Sequence, residues 1–565
     1  MSALARVRIW ASRLLHGEET ETSAPYAAVP REAWLVLLVV VFGLVLRWLG
    51  LRLGLPYFHH WDEILVTQSA RGMVERGDDV PANYFYGAPL MRLTALGYVV
   101  AKKLHLPPPF TGPLADEVTL RWVGRAISST LAGTGTLAAY LAARFSLGRG
   151  RAALFAALSY AVAAELVWHA RYLVTDASVV ALSTWTLAFT AAYLRRRTLV
   201  FAALAILTAG LTFGFKLTGL ATVVLPIAAL VLRPAAGVLR EGDVADARVL
   251  TAAQRALAAA AAPLVLFLFL RTNPHVRDQW QQAFSQFEGI ARHYRQGHVK
   301  PFAERDAGFP HLASATYFVL VQSFHTNALA GALYGAAGVL GVGIALRRAN
   351  LAVLLALGHA ASVVFAMAWP NRAYLTRMYL PAMPVLCLGL GLALDEALSL
   401  AEKRLGSPRA LVAALVVVLS GTTVVQAIET QRGAVDTRIR AVDVVAAAAR
   451  ARPVTVAFSP ALMGGLALGG HGGIRAYLER PGVTIVREVA TADAARESNA
   501  DYLVTASYRD LKRIWPYEEQ WSFTEVPGYR EIARFASSPY EERYDLQPTW
   551  DGHVSAIVLE KVRPQ

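Results

Sequence analysis

Residues 199–232 read LVFAALAILTAGLTFGFKLTGLATVVLPIAALVL. A spanning helix needs roughly 20 mostly apolar residues to cross about 30 Å of hydrocarbon, and this stretch holds enough for two short ones. It predicts two membrane helices, 198–215 and 217–232, that meet at Lys216. That residue is the only one of the chain's seven lysines inside a long apolar region. Outward from it, nearly uncharged runs recur at 34–53, 126–143, 152–170, 177–194, 257–270, 327–346, 351–369, 378–394 and 410–427. Together these give about eleven spans. Composition agrees: the 565 residues are 55% hydrophobic and only 17% charged, against about 25% charged in soluble domains. An ordinary soluble or disordered chain is excluded. Cys387 is the sole cysteine, so neither an intrachain disulfide nor a cysteine metal cluster can form.

The basic loops set the expected orientation, because Arg and Lys are retained on the cytoplasmic side. Arg144/Arg149/Arg151, Arg195/Arg196/Arg197, Arg233/Arg240, Arg347/Arg348 and Lys403/Arg404/Arg409 fall on every second connection. The net charge of +14 is thereby largely a matter of orientation, and with no aromatic-interleaved basic patch, nucleic acid is not an expected partner. The reading is a cytoplasmic segment 1–33, a membrane region 34–428 with outer loops 55–121 and 271–324, and an extracytoplasmic domain 429–565. The first run follows a long polar segment and has no small-residue cleavage site after it, so it reads as an anchor. In the last region, an amphipathic stretch 442–450 precedes β-type runs at 454–458, 483–486, 502–505 and 554–559, a small α/β domain. Its glycines 464–473 match neither the dinucleotide fingerprint nor the P-loop.

Charges in the outer loops are the candidate site. Asp62 and Glu63 stand together in LPYFHHWDEIL (55–65), where the chain leaves the first span. A carboxylate there is costly without a task, and it can orient or deprotonate an attacking hydroxyl. The competing reading is a pair of helix N-terminal carboxylates. His59 and His60 also permit a divalent metal with Asp62 or Glu63, although adjacent histidines on a strand point apart. Arg171 and Asp176 flank a turn between spans, either as a functional pair or as a salt bridge tying the turn. Lys216 either snorkels to the interface or neutralises a phosphate as a point charge. Arg372 and Arg377 defy the positive-inside trend and invite an anionic ligand. Pro381 and Pro384 are expected to kink the tenth span. Apolar residues at helical spacing predict surface-lying helices over 64–77, 87–106 and from Trp280 to Ala291.

In this order, Asp62-Glu63, Arg171 and Asp176, Lys216 in FKLTG, Asn273-Pro274 and Arg377 in RMYLPAMP resemble the polyprenyl-phosphate-dependent GT-C glycosyltransferases of family 39. The likeness is to protein O-mannosyltransferases and aminoarabinose transferases, over about residues 30–395. It implies a hexosyl- or pentosyltransferase in a bacterial inner membrane, acting on the cell envelope with an undecaprenyl-type phosphate-linked donor. The acceptor would be a glycan, lipid or protein. Asp62 would engage the acceptor, Glu63 and Asp176 would support it, and Lys216 with Arg377 and Arg372 would hold the donor phosphate. Arg171 and His60 would be supporting residues, and no cofactor beyond a possible divalent metal is implied. One departure limits the transfer of substrates: aminoarabinose-transferase relatives carry lysine before Pro-Pro-Leu, whereas this chain reads YFYGAPL at 84–90. A lipid-linked sugar flippase is the alternative, but transporters place their charges near the midplane in broken or repeated helices. No repeat is visible.

Overall fold

A computed structural model describes residues 31–55, 61–81, 86–109, 115–196, 198–236, 252–297, 305–325, 327–406, 409–432, 436–460, 462, 475–507, 523–536 and 555–562. His59, His60, the glycines 464–473 and nearly all of segment 1–33 lie outside them. The protein is a polytopic α-helical membrane protein with a small C-terminal β-sheet domain. Among the described residues six helices are long and apolar enough to cross a membrane, or up to seven if a bent pair is one span. This corrects the expected eleven. The remaining runs are helical too, but each is interrupted in a way that hydropathy along the chain understates. Helix Arg31–Trp48 carries Arg31, Glu32 and a buried Arg47, and Ala115–Leu147 dilutes its apolar half with Ser, Thr and Gly while burying Arg121 and Arg125. Helices Gly150–Val162 and Ala164–Ala170 bend by 52°.

The deciding stretch breaks where its lysine stands. Helix Leu199–Phe215 ends as Lys216 turns to extended backbone (φ −160°, ψ 140°), and a 3-10 turn, Leu217–Val223, leads into helix Val224–Ala236. The prolines of the tenth expected span also act differently from expectation. Residues Thr376–Ala382 form a 3-10 turn, and Pro384 sits in the first turn of helix Met383–Leu405, where its missing N–H is not needed. Thr376–Arg404 counts as one candidate span, with no break bent by more than 40°.

Three of the basic loops, around Arg144 to Arg151, Arg195 and Arg348, meet at one end of the bundle. Arg195 donates to the Arg144 carbonyl, Arg149 and Arg151 pair with Asp395, and Arg348 pairs with Glu396. At the opposite end, helix Trp61–Arg76 buries Ile64, and packs Val66, Ala70 and Met73 into a cluster that includes Leu90, Leu120, Leu173 and Phe215. It is packed into the protein rather than resting on its surface. Helix Trp280–Gln296 keeps Trp280 and Phe284 exposed.

The C-terminal sheet has five strands, β1 (Val454–Phe458), β2 (Val483–Glu488), β3 (Tyr502–Ser507), β4 (Tyr529–Phe535) and β5 (Ser555–Lys561), in the order β2-β1-β3-β5-β4. The first three are parallel, and β5 runs antiparallel to β3 and β4. Helix Thr437–Ala451 covers one face through Ile439, Val442 and Val445. Four strands fall where the sequence places them, whereas β4 is additional.

Candidate functional site

Four segments far apart in the chain bring one side chain each to a buried ionic array. Asp62 and Asp176 both stand in the first turn of their helices, where the positive end of the dipole favours a carboxylate. Arg377 Nη2 donates to Asp62 Oδ2 at 2.9 Å, and its Nε lies 3.8 Å from Asp176 Oδ2. Lys216 Nζ donates to Asp176 Oδ1 at 2.7 Å. The result is an alternating row, Asp62, Arg377, Asp176, Lys216, with every member more than nine-tenths buried. Arg377 Nε and Asp176 Oδ2 have no hydrogen-bond partner among the described residues. They face each other across a distance too long for a direct bond.

Tyrosines and a backbone junction frame the row. Lys216 Nζ lies 5.3 Å above the centre of the Tyr86 ring. Burial and the nearby Asp62 hold the Tyr86 hydroxyl well above its ordinary pKa, and burial likewise pushes Tyr294 up beside Arg377 and Asp62. Asn273 ties this side together, its Oδ1 accepting from Ala88 N at 2.7 Å and its Nδ2 donating to Gly214 O at 3.0 Å. Gly87 N donates to Phe215 O at 3.1 Å. A Cβ at Gly87 would stand 1.8 Å from Gly214 O, so only glycine permits this approach. Tyr86, Phe213, Lys216, Phe269, His275 and Phe287 line the adjoining cleft. Burial pushes the His275 imidazole down to about 4, so it stands neutral there.

Glu63, adjacent to Asp62 in sequence, faces elsewhere. Successive helical residues point about 100° apart, so one carboxylate reaches the array and the other turns inward. Arg125 grips both Glu63 oxygens at 2.7 Å and donates to the Leu51 and Leu53 carbonyls, while Leu173 N donates to Glu63 at 2.8 Å. Burial raises the Glu63 carboxyl, but Arg125, Arg121 and the Leu173 N–H together outweigh it and hold the group below the usual carboxylate range. This clamp joins the end of the first helix, the start of helix Trp61–Arg76 and the turn at 173. Arg125 lies one residue outside the apolar run that begins at 126, and the sequence reading passed over it. The available signal was the spacing Glu117, Arg121, Arg125, one face of a helix at i, i+4, i+8.

Two other expected residues make contacts of their own. Arg171 is buried with its guanidinium over the Trp168 ring at 5.7 Å. Arg372 is half exposed, 3.8 Å from Asp306, and its backbone N donates to Tyr294 O at 2.8 Å. His60 is outside the described residues. No group of three or more His, Cys, Asp or Glu able to hold a metal occurs among the described residues. An alternating row of two carboxylates and two cations can accept an anion by exchanging partners, and can release a carboxylate as it does so.

No family model and no curated protein matches the chain. Among solved structures it is similar to ArnT from Cupriavidus metallidurans bound to undecaprenyl phosphate, at 16% identity over 95% of this chain and 100% of that one, TM-score 0.46. It is also similar to the apo oligosaccharyltransferase of Archaeoglobus fulgidus, at 12% identity over 88% and 73% of the two chains, TM-score 0.47. A third similarity is to the S. cerevisiae protein O-mannosyltransferase Pmt1-Pmt2 complex bound to the sugar donor. There the identity is 20% over 46% and 35% of the chains, TM-score 0.34.

Proposed function

We propose that this chain is a membrane glycosyltransferase. It moves a hexosyl or pentosyl group from an undecaprenyl-type polyprenyl-phosphate donor to a hydroxyl or amine of a glycan, lipid or protein acceptor. In this reading segment 1–33 is cytoplasmic, region 34–428 is the inner-membrane catalytic part, and domain 429–565 stands outside. The observation that carries it is the buried row Asp62, Arg377, Asp176, Lys216 at the bundle end opposite the basic loops.

The donor is a phosphate diester, and its phosphate enters between Lys216 and Arg377. The free Nε edge of Arg377, which now faces Asp176 across 3.8 Å, receives a phosphate oxygen. As Arg377 turns to the phosphate, its bond to Asp62 loosens and the carboxylate is released to the acceptor. The acceptor O–H or N–H attacks the anomeric carbon from the face opposite the phosphate, and Asp62 takes its proton. The bond from the anomeric carbon to the phosphate oxygen breaks, and the electron pair leaves with a phosphate monoester that Lys216 and Arg377 neutralise. A single displacement inverts the anomeric configuration. Glu63 supports the step by fixing Asp62's helix, Asp176 by spacing the two cations, and Arg171 and Arg372 by holding neighbouring turns.

No metal enters this step. Glu63 has both oxygens on Arg125, and Asp62 and Asp176 face two cations, a donor set that fits an anion better than a divalent ion. EDTA is expected to leave the rate unchanged, and a chelator-sensitive rate restored by zinc would instead bring His60 and Asp62 forward as ligands.

The test is release of polyprenyl phosphate from labelled polyprenyl-phosphate sugars by purified protein with a membrane-extract acceptor. Wild type is expected to release it, and Asp62→Asn to lose about 100-fold, the scale of a general base. Binding of the lipid without release by either protein would favour the flippase, and a product of retained configuration would sink the single displacement.

A further inference from the structure

The Arg377 turn is held by a histidine that the proposed transfer does not use. His311 is fully buried near the start of helix Phe309–Tyr317. Its Nδ1 is 2.7 Å from the Asn371 carbonyl, and its Nε2 is 2.5 Å from the Tyr379 hydroxyl. A carbonyl only accepts, so Nδ1 carries the hydrogen. Nε2 is then the acceptor, and Tyr379 donates to it. One imidazole in a single tautomer thus bonds to residues on either side of Arg377.

The segment between those two anchors has little else that is regular. It is a loop followed by the 3-10 turn Thr376–Ala382, whose Met378 N donates to Leu375 O. Such turns have poorer hydrogen-bond geometry than an α-helix and hold their direction weakly alone. Around the imidazole, Tyr374 and Tyr379 present ring edges at 5.5 and 6.1 Å, and both tyrosines are buried. Tyr374 donates to Ser314 O at 3.2 Å and lies under the Arg305 guanidinium. The loop on the other side is bound to the Tyr294 carbonyl through Arg372 N and Ala373 N.

We propose that His311 is a positioning residue for Arg377: by bonding Asn371 and Tyr379 at once, it fixes the turn that carries the guanidinium between Asp62 and Asp176. The inference rests on the donor-phosphate reading for its consequence, but not for its test. Side-chain Nε–H resonances of 15N-arginine-labelled full-length protein report on Arg377 without any ligand, the signal being assigned by its disappearance in Arg377→Lys. A buried guanidinium in one place gives one sharp, slowly exchanging signal. Tyr379→Phe, which removes only a hydroxyl, and His311→Leu are both expected to shift and broaden it. An unchanged Arg377 signal in folded Tyr379→Phe protein would overturn the proposal, even where His311→Leu fails to fold.

Titration of the same proteins with undecaprenyl phosphate in detergent separates the two readings. Weakening of roughly tenfold in Tyr379→Phe, with wild-type affinity for a neutral polyprenol unchanged, is expected from a misplaced charge-assisted bond. A wild type that binds no undecaprenyl phosphate would remove the donor reading, and the arginine resonance would still decide the role of His311.

Discussion

The two ends of the helix bundle are both tied by arginines and carboxylates, yet they are built to different standards of burial and bonding. At one end Arg149, Arg151 and Arg348 reach Asp395, Glu396 and Glu402 at 2.5–3.2 Å, and the arginines are a third to a half exposed. Water screens the pairs of Glu396 and Glu402, which are a third exposed, and each contributes about 0–1 kcal/mol, whereas Asp395 itself is buried. At the other end the row from Asp62 to Lys216 is withdrawn from solvent, which costs several kcal/mol per ion by general estimates. It nevertheless leaves Arg377 Nε and Asp176 Oδ2 without a hydrogen bond. An expensive arrangement that is not fully bonded is poorly explained as a staple. Under the proposed function it is a place where the donor's anion would complete the bonding.

The Arg125–Glu63 clamp sharpens this contrast, because it is equally buried and fully bonded. Arg125→Met leaves Glu63 charged and buried without the guanidinium that holds both its oxygens, and is expected to destabilise by about 3–5 kcal/mol, read as a large drop in Tm in detergent. Glu63→Met with Arg125→Met together is expected to recover most of that loss. A double variant as unstable as the single one would show that the clamp acts through the Leu51 and Leu53 carbonyls instead.

Lys216→Met tests the row itself. Asp176 keeps only the more distant Arg377, the row gains net negative charge, and undecaprenyl phosphate binding is expected to weaken by at least tenfold, about 1.4 kcal/mol. Stability is expected to change less than for Arg125→Met, because Asp176 retains a cation nearby. Unaltered lipid binding would leave Lys216 as a structural partner of Asp176 and nothing more. Asn273→Ala comes next: it frees Ala88 N and Gly214 O, at about 1–2 kcal/mol for buried groups left unpaired. Donor binding should fall with it, because both anchored segments flank Lys216.

Much of this contrast was legible in the sequence, and the parts that were not have a common cause. Asp62, Asp176, Lys216 and Arg377 each stood out as charges at the ends of apolar runs, because hydrocarbon makes any charge there conspicuous. Their alternation was hidden, since it depends on segments 40 to 315 residues apart. Glu63 resembled Asp62 for the same reason: adjacency in sequence does not show that helical rotation gives the two carboxylates different partners. His311 carried no signal at all, lying in what the sequence reads as outer loop 271–324 and defined only by bonds to residues 371 and 379. The span count was too high because runs such as 34–53 contain polar residues that are satisfied inside the bundle, Arg47 by the Tyr160 and Ala161 carbonyls, and a run of mostly apolar residues hides them. Strand β4 was missed because its half-exposed residues lack a continuous apolar run.

Arg348→Gln probes the smallest expected effect and thereby the premise of the comparison. Arg348 gives one bond to Glu396, which Arg149 already holds at 2.6 Å. Removing it leaves no carboxylate unpaired, and the site is reached by water. Stability should shift by no more than about 0.5 kcal/mol, the effect should shrink further in high salt as exposed charges are screened, and lipid binding at the far end should not move. A loss comparable to that of Lys216→Met would mean that the exposed network holds the helices in register for the buried row, so that the two ends act as one device.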